Sequence, residues 1–202
     1  MNPPEAIVFD LGKVLVDFDY GIAARRIAAN SKVPLPEVRA RIEHSPLLAR
    51  YETGRIDSEQ FYEEVKNGTG FDGTFEEFSR LFADIFWPID PMVRLHDSLR
   101  RRNLPTFIFS NTNDLAVTHI GRNFPFFSLF TDYILSYEHG AMKPDAALYE
   151  VVEATTGQQG DHILYLDDRP ENIEAGRERG WRVILQETPE KTLAAMRKLD
   201  LT

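Results

Sequence analysis

The sequence predicts an α/β protein: a Rossmann-like parallel sheet flanked by helices, with an all-helical cap inserted after the first strand. Three observations carry this expectation. The apolar run Ala6-Ile7-Val8-Phe9 enters Asp10 without polar alternation, as strands buried on both faces of a parallel sheet do. After Asp17 the pattern turns helical and stays so as far as Pro88. Beyond Pro91 short apolar runs alternate with helical segments, which implies right-handed βαβ units.

Taken in order, Tyr20 to Asn30 carries Ile22, Ala23, Ile27 and Ala28 at helical spacing. Pro34-Leu35-Pro36-Glu37 reads as a turn into a second helix, with Pro36 accommodated in its first turn. Ser58-Glu59-Gln60-Phe61 opens a third, with Asp57 or Ser58 as N-cap. Thr74-Phe75-Glu76-Glu77 has capping-box spacing and opens a fourth. No strand is expected between Phe18 and Pro88. The remaining expectations are a helix from about Pro91 to Arg101, the strand Thr106–Phe109, a helix near Leu115–Arg122 and the strand Tyr133–Leu135. A helix from Pro144, the strand His162–Leu166, a helix from about Pro170, the strand Arg182–Leu185 and a last helix capped by Thr188 complete the chain. The expected division is a core of residues 1–17 and 89–202 and a cap of residues 18–88.

The 202 residues are 43% hydrophobic and 27% charged, the composition of a globular protein. The net charge of −9 argues against a nucleic-acid partner, which would require a basic face. Arg100-Arg101-Arg102, a basic run, closes a helix, where cations suit the dipole. No apolar run reaches membrane-spanning length, and Met1-Asn2-Pro3-Pro4-Glu5 has no signal-peptide pattern. Cysteine is absent, which excludes disulfides, thiolate metal sites and a cysteine nucleophile. A cytoplasmic protein without membrane partners is expected, its oligomeric state open.

Polar groups stand at the ends of three strands: Asp10, Ser110 and the pair Asp167-Asp168. Ligands of open α/β sheets bind at such carboxyl ends. An isolated Ser after a strand is usually a cap, and the Lys143-Pro144 pair is usually a helix entry. Adjacent carboxylates are harder to dismiss, because they repel unless a cation or proton lies between them. Hard oxygen ligands suit Mg²⁺. The five histidines (44, 96, 119, 139, 162) show no ligand spacing, and the aromatic cluster Phe124–Phe130 reads as core.

Phe9-Asp10-Leu11-Gly12, Phe109-Ser110-Asn111, Lys143-Pro144 and Leu166-Asp167-Asp168 with Asn172 stand in the order of the four motifs of the haloacid dehalogenase-like hydrolase superfamily, which the chain resembles over nearly its whole length. The wording Asp10-Leu11-Gly12-Lys13-Val14-Leu15-Val16-Asp17 with Ser110-Asn111-Thr112-Asn113 is similar to its sugar-phosphatase branch, which contains α-D-glucose-1-phosphate phosphatases; the N-terminal domains of soluble epoxide hydrolases are more distant. The resemblance implies a Mg²⁺-dependent phosphatase of a small phosphorylated metabolite, such as an aldose 1-phosphate. It implies Asp10 as nucleophile, Ser110 and Asn111 as phosphoryl ligands and Lys143 as charge balance. Asp10, the Gly12 carbonyl, Asp167 and Asp168 are the implied metal ligands, directly or through water, and Asn172 braces their loop. Tyr51-Glu52-Thr53-Gly54-Arg55-Ile56 resembles a cap turn that faces the site in relatives, so Arg50, Tyr51 and Glu52 are expected substrate contacts.

One departure matters. Phosphatases of the superfamily usually carry an acid/base Asp two places after the nucleophile, and here that residue is Gly12. Lys13 replaces the small residue usual at the next place, its ammonium directed either to the site or to solvent. The missing acid suits 2-haloacid dehalogenases, which expel halide, but these use no metal and lack the double Asp. A degenerate, non-catalytic binding or regulatory member is the other alternative.

Overall fold

The structure, a computed structural model, describes residues 3–43 and 45–202. Met1, Asn2 and His44, on which parts of the N-terminal and histidine readings fall, lie outside the described residues. The chain begins with β1 (Ala6–Phe9) and β2 (Val16–Phe18). It continues through α1 (Tyr20–Ala28), α2 (Leu35–Ile42), α3 (Pro46–Glu52), α4 (Ser58–Thr69) and α5 (Phe75–Ala83), and returns through β3 (Phe86–Pro88). There follow α6 (Asp90–Arg101), β4 (Thr106–Ser110), α7 (Asp114–Asn123), β5 (Asp132–Leu135), α8 (Ser136–His139) and α9 (Ala146–Thr156). The chain ends with β6 (Ile163–Asp167), α10 (Pro170–Glu178), β7 (Arg182–Leu185) and α11 (Pro189–Lys198).

Five of these strands form one parallel sheet in the order β5-β4-β1-β6-β7. The absence of alternation in β1 has a direct cause. Ile7 and Phe9 face a core with Met92, Leu95 and Leu99 of α6, Ile120 of α7 and Met196 of α11. Ala6 and Val8 face the other core, with Leu148, Tyr149 and Val152 of α9 and Ile173 of α10. Both faces are dry, so every position of the strand is apolar. β1 is the switch point: the chain fills β4 and β5 on one side, then crosses to β6 and β7 on the other. Asp10 follows β1 at that crevice, its N–H bonded to the Leu166 carbonyl at 2.8 Å.

The segment from α1 to α5 has a core of its own, centred on Ile27, Val38, Phe61, Phe78 and Phe82. Its capping signals are realised. Asp57 and Gln60 form a reciprocal capping box on α4, and Thr74 and Glu77 form one on α5. Three features depart from the sequence reading. β2 and β3 pair antiparallel at the base of the insertion, Val16 opposite Pro88 and Phe18 opposite Phe86, so a strand does lie between Phe18 and Pro88. Two three-residue segments so far apart in the chain carry no local periodicity that would reveal them. α3 is a helix beyond those expected, although Ser45, which accepts from the Leu48 N–H at 3.0 Å, and Pro46 at the first helical position are recognisable start signals. Finally, α9 starts at Ala146 with Asp145 as N-cap, and Pro144 stands outside it. The residue before a proline avoids helical backbone, and Lys143 exchanges main-chain bonds with the Asn111 carboxamide.

The insertion is fastened to the core at Asp114, the first residue of α7. Its carboxylate accepts from the hydroxyls of Tyr51 and Ser58, and the Leu115 N–H donates to the Tyr51 hydroxyl at 3.3 Å. Asp114→Ala is expected to lower stability by about 1–3 kcal/mol, because it strands hydroxyls that have little water to replace the lost acceptor. Urea unfolding of the two proteins measures it, and a change within about 0.5 kcal/mol would mean that the apolar contacts alone hold the insertion.

Candidate active site

The carboxyl ends of β1, β4 and β6 open into a cavity of about 750 Å³ between the sheet and the insertion. Of the residues expected at the site, Asp10, Gly12, Lys13, Ser110, Asn111, Lys143, Asp168, Asn172 and Glu52 line it. Asp167 lies fully buried directly beneath. β1 brings Asp10 to the cavity, β4 brings Ser110, and β6 brings Asp167 and Asp168; the Lys143 backbone is held by the Asn111 side chain at 2.7 and 3.0 Å.

Lys143 is the buried cation of the site. Its Nζ lies 3.0 Å from Asp10 Oδ1 and 2.7 Å from Asp167 Oδ2, and it donates to the Phe109 carbonyl at 2.8 Å. It also stands over the rings of Phe109 and Tyr165, at 4.9 and 5.7 Å from their centroids. Burial alone would favour its neutral form, but the Asp10 and Asp167 charges overcome this and hold its pKa above the ordinary lysine value.

The carboxylates share this cation unequally. Asp167 accepts from Lys143, from the Tyr165 hydroxyl, from the Asn172 carboxamide at 3.0 and 3.1 Å and from the Arg169 N–H at 2.8 Å. Burial pushes its pKa up, but Lys143 and these donors outweigh burial and hold it below the usual range. Asp10 receives Lys143 and the Leu11 N–H at 2.7 Å. Burial raises its pKa, Lys143 opposes that, Asp167 and Asp168 add to it, and the result is about 7. Asp168 is likewise raised, by burial and by Asp167. One ammonium thus faces three carboxylates whose oxygens come within 4.8 Å of one another. The residual negative charge and the all-oxygen donor set fit a hard divalent cation such as Mg²⁺. Asp168 is free to face the cavity, whereas Asp167 is already saturated with donors.

The expected cap contacts separate. Glu52 lines the cavity. Tyr51 does not: its ring stacks on Phe61 at 4.6 Å between centroids and its hydroxyl binds Ser58 and Asp114, so it is committed to the fastening of the insertion. Arg50 lies outside the cavity and pairs with Glu64 at 3.0 Å on an exposed helix face. Helical geometry gives the reason: successive residues of α3 point about 100° apart, and the face that carries Leu48, Ala49 and Glu52 lines the cavity while Arg50 and Tyr51 point away from it. Tyr20, Glu43, Ser45 and Arg169 also line the cavity, beyond the residues that the sequence reading places there. Ser45-Pro46 is the available signal for the α3 end, and Tyr20 carries none.

Lys13, with φ of 58°, donates to Asp17 and to the Phe18 carbonyl at 2.9 Å, and lies 4.6 Å from the centroid of the Phe18 ring. Its ammonium is therefore held at the rim. Phe18 also roofs Gly12: a β-carbon built there would stand 2.9 Å from Phe18 Cε1. His96, a buried histidine, stacks on Phe130 at 3.8 Å and bonds Thr106, a packing role.

Residues 4–180 match the family described as haloacid dehalogenase-like hydrolase. The chain belongs to that family. It is 26% identical over 194 residues to a D-ribitol-5-phosphate phosphatase of Bacteroides thetaiotaomicron, covering 90% of this chain and 91% of that one. A HAD-like family hydrolase of Porphyromonas gingivalis has the same fold, with a TM-score of 0.84 at 23% identity over 98% of both chains. So does the HAD family enzyme BT-2542 of B. thetaiotaomicron, in a complex with magnesium and inorganic phosphate, with a TM-score of 0.79 at 19% identity over 90% of this chain and 93% of that one.

The crowding of the site can be tested at two positions. Asp10→Asn removes one of three carboxylates around one ammonium, so the metal-free variant is expected to melt a few degrees above the natural protein, about 1 kcal/mol of stability. Calorimetry with chelator present checks this, and a lower melting temperature would show that the Asp10 charge is balanced after all. Gly12→Asp must displace the Phe18 ring, at a cost of about 1–3 kcal/mol. The expected sign of a real clash is a double-mutant cycle in which Phe18→Ala costs much less in the Gly12→Asp variant than in the natural protein.

Proposed function

We propose that this haloacid dehalogenase-like hydrolase is a magnesium-dependent phosphatase acting on a small polyhydroxylated phosphate monoester, a sugar phosphate or sugar-alcohol phosphate. The observation that carries the reading is the Asp10-Asp167-Asp168 group around Lys143, at the floor of a cavity of metabolite size. The 26%-identical relative named for D-ribitol 5-phosphate supports the substrate class; the motif wording supports an aldose 1-phosphate within it. The cavity walls offer hydroxyl and carboxylate groups from Tyr20, Glu52 and Thr112 for polar substrate atoms. We take residues 18–88 as the cap and residues 1–17 with 89–202 as the core.

In this reading the Asp10 carboxylate attacks phosphorus, and the aspartyl-phosphate formed is then hydrolysed, so that one difficult displacement becomes two easier ones. The buried Ser110 hydroxyl and the Asn111 N–H hold phosphoryl oxygens; the Asn111 carboxamide is committed to Lys143. Lys143 balances charge on Asp10 and on the incoming phosphate. Asp10, Asp168 and the Gly12 carbonyl would hold the metal, with Asp167 orienting the group from beneath. Bound Mg²⁺ supplies Lewis-acid relief of the repulsion between carboxylate and phosphate. The paired aspartates argue against a metal-free dehalogenase, and their retention with Lys143 argues against a degenerate member.

The expected result is phosphate release from small sugar or polyol phosphates in the presence of Mg²⁺, abolished by EDTA and restored by excess Mg²⁺. Asp10→Asn is expected to remove activity and the covalent intermediate, whereas Asp168→Asn raises the Mg²⁺ concentration needed. Turnover of 2-haloacids without metal, and no phosphate release, would overturn the reading.

A further inference from the structure

The reaction proposed above requires a proton at the leaving oxygen, and residue 12, where an acid would be expected, is a glycine roofed by Phe18. Beside the metal-site aspartates, three carboxylates line the cavity: Asp19, Glu43 and Glu52. Asp19 is engaged as the N-cap of α1, accepting from the Gly21 N–H at 2.7 Å, and pairs with Arg25. Glu43 pairs with Arg39 through both carboxylate oxygens.

Glu52 is placed differently. It is the last residue of α3, and its carbonyl accepts from the Ser136 hydroxyl at 2.6 Å. The same hydroxyl accepts from the Thr112 N–H at 2.9 Å, so this cap residue is pinned to the loop that carries Ser110 and Asn111. The Tyr20 hydroxyl, from α1, hydrogen-bonds its side chain, and the charge of Arg169, whose guanidinium pairs with Glu171, acts on it from beside Asp168. We propose that Glu52 is the acid/base of the reaction: it protonates the leaving oxygen and then deprotonates the hydrolytic water. The proposal rests on the phosphatase reading above.

The steps balance. As the bond from Asp10 to phosphorus forms and the bond from phosphorus to the alcohol oxygen breaks, the Glu52 carboxyl proton moves to that oxygen and a neutral alcohol departs. In the second step a water oxygen bonds phosphorus, the Glu52 carboxylate takes the water proton, and the bond to Asp10 breaks. Phosphate, the Asp10 carboxylate and the protonated Glu52 result. Burial, opposed by Tyr20 and Arg169, brings the Glu52 carboxyl to about 7, where acid and base forms are both populated near neutral pH.

The experiment compares a primary-alcohol ester (a polyol phosphate) with 4-nitrophenyl phosphate, whose leaving group departs without a proton. For the natural protein with Mg²⁺, the ratio of kcat/KM on the polyol phosphate to that on 4-nitrophenyl phosphate is expected to fall as pH rises through about 7, because the acid form of Glu52 is lost while the ionisation of Asp10, which both esters require, cancels in the ratio. Glu52→Gln should lower kcat/KM on the polyol phosphate by about 10²–10⁴, at least about tenfold more than on the aryl ester, and should remove that pH limb. Tyr20→Phe should move the limb to higher pH, since it withdraws a donor from the carboxylate. Equal losses on both esters, a loss confined to KM, or a pH limb that survives in Glu52→Gln would overturn the assignment while the phosphatase reading stands. If the natural protein cleaves neither ester with Mg²⁺, the phosphatase reading itself fails and the assignment with it.

Discussion

The Lys143 ammonium, 3.0 Å from Asp10 and 2.7 Å from Asp167, is the contact on which the rest of the site depends. A buried charge of either sign would be costly alone. Here the cation makes it possible to bring carboxylates from two adjacent strands to one point, and the carboxylates keep the cation charged. The arrangement draws on most of the core. β1 delivers Asp10, β6 delivers Asp167, β4 supplies the Phe109 carbonyl, and the Asn111 side chain fixes the Lys143 backbone. The sheet order places β1 between β4 and β6, so these groups meet because the strands are neighbours.

Charge balance within the group is incomplete. Asp167 is the well-satisfied member, with donors on both oxygens, and acts as a fixed point. Asp10, which shares the Lys143 ammonium with Asp167, and Asp168 are less fully compensated and face the cavity. Such residual negative potential attracts a divalent cation and, through it, an anionic substrate that the net charge of −9 would otherwise repel.

The insertion adds the second half of the cavity. It has an aromatic core of its own, and the antiparallel β2-β3 ribbon and the Asp114 acceptor join it to the sheet. Phe18, in that ribbon, covers Gly12, so the roof over the residue two places after Asp10 comes from the base of the insertion. Asp10, Ser110 and Lys143 line the cavity from the side of the sheet, and Tyr20 and Glu52 line it from the insertion.

The sequence alone determined the strands of the sheet, the capping boxes that open α4 and α5 and the polar groups that end β1, β4 and β6. Each is local: β1 is apolar throughout because both its faces are covered, and Thr74 with Glu77 closes a capping box within one turn. Asp10, Ser110 and the Asp167-Asp168 pair were legible because strand ends in a parallel sheet share one edge, whereas Lys143, between α8 and α9, was marked only by the resemblance of its Lys-Pro pair to a family motif. Tertiary structure decided the rest. The β2-β3 ribbon pairs segments separated by five helices, and no local pattern encodes such a pairing. Which of Arg50, Tyr51 and Glu52 faces the cavity depends on the rotation of α3 about its axis, and that rotation is set by Tyr51 stacking on Phe61 and bonding Asp114. The unequal charge of the three aspartates was also invisible in the chain, because it follows from which oxygens Lys143, Tyr165 and Asn172 reach in space.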